Sequence, residues 1–234
     1  MLMKNFLNYI YLLIVNIRKS LILKTIYLKF VEASIIFFIS LILIRLLGPS
    51  DYGKLNYVFS YVFLLRPLYV FGMPSVLQAQ LSRDKNSFVI INRLLTIQIG
   101  LFLLISIFSF FILKNIFNTE YLKLFIILQL GFGFRIFDLF TQSLFVFNKG
   151  IESGKITTLS AIKLLIFLTL ACIFYLDLSS IAFAYLINYI TDLIIIFFIL
   201  KKNNFSHLLY KFKLDFNDLI KNIKKSLPLA ASSF

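Results

Sequence analysis

Apolar residues in this chain do not alternate with polar ones; they come in long runs. Six runs stand out, from about Ile26 to Leu47, Asp51 to Leu81, Ile91 to Leu113, Tyr121 to Phe147, Lys155 to Leu176 and Ser180 to Leu200. Each is long enough for an α-helix to cross a bilayer, which takes about 20 residues. Transmembrane β-strands would alternate over about 10 residues, and these runs are too long and too uniform for that. The linkers GPSD, SRDKNS, KNIFNTE, NKGIESGK and LDLSS are short and rich in residues that end one helix and cap the next. The pattern predicts an all-α, polytopic membrane bundle of about six helices over 26–200. A segment of 1–25 precedes it, a basic linker of 201–225 follows, and 226–234 reads as the start of a seventh span.

Composition identifies the solvent. The chain is 60% hydrophobic, with 29 Phe, 12 Tyr and no Trp, against roughly 45–50% apolar residues in soluble domains. The first run is not a cleavable signal peptide, because apolar runs recur along the chain and no small-residue cleavage site follows it. Cys172 is the only cysteine, so neither an internal disulfide nor a cysteine metal cluster is available. It reads as a small apolar helix residue, and the lone His207 as a solvated loop residue. The sequence implies no cofactor and no metal.

Charge sets the expected orientation. With a cytoplasmic N-terminus, the inner segments hold Lys4, Arg18, Lys19, Lys24, Lys29, Arg83, Lys85, Arg93, Lys149 and Lys155, and the last loop adds the lysines of 201–225. The outer side keeps Arg45, Lys54, Lys114 and Lys123. This is the positive-inside bias, and it accounts for the net charge of +14. The basic residues flank membrane spans, so anionic lipid headgroups are the expected counterpart rather than nucleic acid.

Within the runs, ionisable residues recur at one depth. Glu32 lies 15 positions before Leu47, and Arg66 lies 15 positions after Asp51. Both fall about 22 Å from the outer end at the helical rise. Arg135 and Asp138 in the fourth run, Lys163 in the fifth and Asp192 in the sixth reach the same layer, where the third run offers Gln98. Intramembrane ionisable groups cost about 2.5–3.5 kcal/mol each on insertion scales and mark solute or ion paths. The bland reading is neutral structural glue: three cations against three anions, with Arg135 and Asp138 an i, i+3 pair. Lys29 sits one turn from Glu32, so that pair could snorkel. Pro67 and Pro74, with Gly72 between them, remove two backbone donors beside Arg66 and predict a kink, either a gating element or a static bend.

Motifs for catalysis are missing. GIESGK is one residue short of a phosphate loop, GFGF at Gly131 lacks a third glycine, and no HExxH or GxSxG occurs. Nothing in the sequence argues for an enzyme.

The run IRLLGPSDYGKLNYVFSYVFLLRPLYVFGMPSVLQAQLSRDK resembles the start of the bacterial O-antigen and capsule repeat-unit flippases. These belong to the multidrug/oligosaccharidyl-lipid/polysaccharide exporter superfamily. The likeness rests on an Arg-x-Leu-Gly turn followed by Asp-Tyr-Gly, here Arg45, Leu47, Gly48, Asp51, Tyr52 and Gly53, and on the basic-acidic turn Ser82-Arg83-Asp84-Lys85. It implies two six-helix lobes around a cationic cavity that carries undecaprenyl-diphosphate-linked oligosaccharide across the bacterial inner membrane. On that reading Arg66, Arg135 and Lys163 hold the diphosphate, and Glu32, Asp138 or Asp192 carries a coupling ion. Only the first lobe and the opening of a seventh span are present up to Phe234, so the expectation is a half that pairs with a second lobe, or a truncated fragment. A drug/cation antiporter of the same superfamily would need a net acidic cavity. A membrane glycosyltransferase or polymerase would need a sizeable external loop with carboxylates.

Overall fold

A computed structural model describes residues 21–83, 88–146, 150–174 and 177–202. Every described element is helical: α1 (Leu21–Val70), α2 (Met73–Arg83), α3 (Phe88–Leu113), α4 (Thr119–Phe134), a 3-10 turn (Arg135–Phe137), α5 (Asp138–Val146), α6 (Gly150–Phe174) and α7 (Leu178–Lys202). Five stretches are long and apolar enough to cross a membrane, the first of them Leu23–Leu81. At 59 residues that stretch is far too long for one crossing. It divides at Gly48, whose φ of 76° and ψ of 166° are non-helical. Before Gly48, Leu28 packs on Gly154 and Leu43 approaches Cys172, so the first arm runs alongside α6 in the same direction. After it, Tyr57 meets Tyr121 and Phe63 meets Phe132, so the second arm follows α4. The chain reverses at Gly48, so the described residues make six passes.

The linker chemistry is visible at the turns. Asp51 and Lys54 pair at 2.8 Å in the first turn after Gly48. The Asn118 side chain accepts the Tyr121 amide at 2.9 Å, capping α4. α6 starts at Gly150, five residues before the expected span, and α7 continues through Lys202. Helix also begins by Leu21, inside the expected leading segment. Residues 1–20 and 203–234, with most of the basic linker, His207 and the expected seventh span, lie outside the described residues.

Two apolar clusters hold the passes together. One, at the Gly48 end, joins Leu43, Leu55, Phe117, Leu124, Cys172 and Leu178. The other, at the far end, joins Leu77, Leu81, Ile91, Leu144, Ile156 and Leu200. Phe30, Leu64, Phe108, Ile173 and Phe198 are about two-thirds exposed and form the lipid-facing surface of a membrane protein. In lipid, helices associate through close packing and polar contacts rather than the hydrophobic effect. Gly131 serves this directly: a Cβ there would stand 3.0 Å from the Tyr189 ring and 3.4 Å from the Leu186 backbone of α7.

The expected kink in the second pass is a full break. α1 stops at Val70, Phe71 and Gly72 take φ of 44° and 64°, and α2 restarts with Pro74 in its first turn. The fourth pass runs on as helix, with right-handed angles throughout, but tightens into the 3-10 turn at Arg135–Phe137.

Candidate functional site

A cavity of about 650 Å³ lies between the passes. Five of the six charged residues singled out from the sequence line it: Glu32, Arg66, Arg135, Asp138 and Asp192. They come from α1, the 3-10 turn, α5 and α7, so shared depth did bring them together. Pro74 lines it as well; Pro67 and Gly72 do not. Uncharged polar groups fill in the wall, including Gln78, Gln142, Ser153, Thr157, Ser160 and Asn188.

Lys163 is placed elsewhere. It is absent from the cavity lining, and its ammonium donates to Asp192 Oδ1 at 2.5 Å and to Thr191 Oγ1 at 2.8 Å. Ser160 donates to the second oxygen of Asp192, and Asn188 Nδ2 donates to Ser160 Oγ at 3.1 Å. Both charged side chains are about 15% exposed. The pair is a clamp between α6 and α7, with its donors and acceptors mostly engaged. Ser160 lies three residues before Lys163 and Asn188 four before Asp192, so helical spacing could have placed each beside its partner.

Arg135 Nε donates to Asp138 Oδ2 at 3.1 Å across the 3-10 turn, with both side chains about one-third exposed. Its guanidinium also lies 5.5 Å from the Tyr189 ring centre and 5.9 Å from that of Phe132. Tyr189 also engages the Arg135 guanidinium, and the donors left over from Asp138 and Tyr189 can serve a ligand.

Lys29 is a cavity residue that depth counting set aside. It lines the wall, pairs with Glu32 at 2.7 Å and reaches Thr157 Oγ1 at 3.4 Å. Its i, i+3 spacing to Glu32 was the available signal. Counting Lys29 changes the expected balance: Lys29, Arg66, Arg135 and Lys163 now face Glu32, Asp138 and Asp192. Three pairs form, and Arg66 is the surplus. Among the described residues it has no ion-pair or hydrogen-bond partner, and its electrostatic neighbours include Arg135 and Asp138. Two guanidinium groups facing one cavity, one of them uncompensated, have the chemistry to hold an anion.

Gln98 does not join the layer. It is buried off the cavity, and its Nε2 donates to the Val70 carbonyl at 3.3 Å. Pro74 has no N–H to offer that carbonyl, so Gln98 supplies the missing donor. A second, apolar groove of about 420 Å³ between α3 and α4 carries no charged residue and opens on the lipid-facing side. No family model matches the chain, and no match was found among the curated proteins or the solved structures compared with it.

Proposed function

We propose that this chain is one lobe of a transporter that carries undecaprenyl-diphosphate-linked oligosaccharide repeat units across a bacterial inner membrane, for surface polysaccharide synthesis. The supporting observation is Arg66, an intramembrane cation without a carboxylate of its own, sharing a cavity with Arg135. A diphosphate offers oxygens that two guanidinium groups can grip in bidentate fashion. The hydroxyl and amide groups around them suit the sugar hydroxyls, and the polyprenyl tail stays in lipid. A second lobe, in the same chain or another, is the expected partner for alternating access. The cation-antiporter reading has less support, because each carboxylate lining the cavity already has a cation within 3.1 Å.

Purified chain in lipid nanodiscs should bind undecaprenyl diphosphate, and Arg66→Ala should weaken that binding. The charged contact is worth about 1.5–3 kcal/mol, or roughly 10- to 100-fold. In a flippase-deficient strain, the chain together with a second lobe should restore export and Arg66→Ala should not. Undiminished binding and export by both Arg66→Ala and Arg135→Ala would overturn the reading.

A further inference from the structure

Two of the passes depart from regular α-helix beside the charged cavity, one by a break and one by a 3-10 turn, the kind of irregularity that often marks a hinge. In the second pass the break is Phe71–Gly72, five residues after Arg66; in the fourth the 3-10 turn is Arg135–Phe137. The two short helices that follow, α2 and α5, pack on one another. Pro74 and Gln78 of α2 and Thr141 and Gln142 of α5 line the cavity. We infer that α2 and α5 form one gate, hinged at Phe71–Gly72 and Arg135–Phe137, that sets the width of the cavity at the end opposite Gly48.

The backbone at the first hinge is held rather than relaxed. Phe71 has a φ of 44°, a left-handed conformation that costs a bulky residue about 1–2 kcal/mol. It persists because the surroundings fix it: the Phe71 amide donates to the Pro67 carbonyl at 2.9 Å, and Gln98 holds the Val70 carbonyl. A residue strained in one geometry and propped from a neighbouring helix is poised between two positions.

The second hinge is spanned by an ion pair. Arg135 opens the 3-10 turn, Asp138 opens α5, and their bond at 3.1 Å ties the two ends of the turn. An anion that draws Arg135 away from Asp138 loosens that tie, so occupancy of the cavity and position of the gate are coupled. Nothing in this device depends on which anion the cavity carries, and its test needs no ligand.

Spin labels report the motion directly. On a Cys172→Ala background, one pair goes at Ser75 of α2 and Lys155 of α6, both exposed; a reference pair goes at Ser60 and Phe183, both exposed on the Gly48 half. Pulsed dipolar distances in nanodiscs should show two populations for the first pair and one for the reference. Phe71→Gly relieves strain in the present geometry and should enrich that population roughly 5- to 30-fold. Gly72→Ala adds strain at a φ of 64° and should shift the ratio the opposite way by roughly 5- to 30-fold. Asp138→Asn should move it in the same direction as Gly72→Ala. One distance for the α2–α6 pair in every variant would overturn the gate, as would equal movement of the reference pair or shifts of one sign for Phe71→Gly and Gly72→Ala. The reference distance also reports a variant that has failed to fold.

Discussion

Lys163 and Asp192 reach across from two different helices, whereas Arg135 and Asp138 sit three residues apart at a 3-10 turn in one pass. The first pair is nearly enclosed, and Ser160, Thr191 and Asn188 complete its hydrogen bonding. The second pair is twice as exposed, opens onto the cavity and has Arg66 as a like-charged neighbour. Burial with satisfied partners makes an ion pair a fastener. A half-open pair beside a surplus charge leaves donors for something else. The same residue types at the same depth therefore do different work, and the difference lies in how many polar groups each pair already has.

The largest expected effect tests the fastener. Lys163→Met leaves Asp192 charged, buried and without its ammonium, a loss of about 3–5 kcal/mol for buried pairs. The variant should therefore show a strongly lowered midpoint in detergent thermal unfolding followed by size exclusion. Lys163→Met with Asp192→Asn removes both charges and should recover most of the loss. If the double variant is as unstable as the single one, the pair is not what joins α6 to α7.

Arg66 and Arg135 should separate stability from binding. Arg66→Ala removes a charge that has no carboxylate of its own, so unfolding should be nearly unchanged while undecaprenyl diphosphate binding falls roughly 10- to 100-fold. Arg135→Ala leaves Asp138 alone at the hinge. It should lose comparable affinity and, in addition, roughly 1 kcal/mol of stability for a partly exposed pair. Arg66→Lys keeps the charge but not the planar fork, so it should fall between wild type and alanine. Equal stability losses for Arg66→Ala and Arg135→Ala would erase the distinction between a surplus charge and a paired one.

Much of this was legible from the sequence, within a limit set by geometry. Run length gave the passes, and position within each run gave the depth of Glu32, Arg66, Arg135, Asp138 and Asp192, which do line one cavity. Depth is only one coordinate. The other is the direction in which a side chain leaves its helix, and a helix apolar on all sides carries little periodic signal for it. That is why Lys163 and Gln98, at the right depth, ended up outside the cavity, and why Lys29, one turn off, ended up in it. Pro67, Gly72 and Pro74 announced a bend in the second pass. The mark at Arg135–Phe137 was fainter: Gly131 and Gly133 just before it weaken the helix, and the run has no proline.

The smallest expected effect concerns the third pair. Lys29 and Glu32 are also i, i+3, but Lys29 is 50% exposed and Glu32 22%. An exposed pair of this kind contributes about 0.3–0.5 kcal/mol, because solvent screens the charges and two flexible side chains must be held still. Lys29→Ala should therefore shift the unfolding midpoint barely above error and change diphosphate affinity by no more than about twofold. Whatever affinity effect remains should fade as salt is raised, as it does for exposed charges and not for enclosed ones. A loss as large as that of Lys163→Met would mean that the bilayer shields Lys29 as fully as the protein shields Lys163. Exposure to the cavity would then no longer distinguish a fastener from a ligand-facing charge, and the contrast between the two central pairs would need another cause.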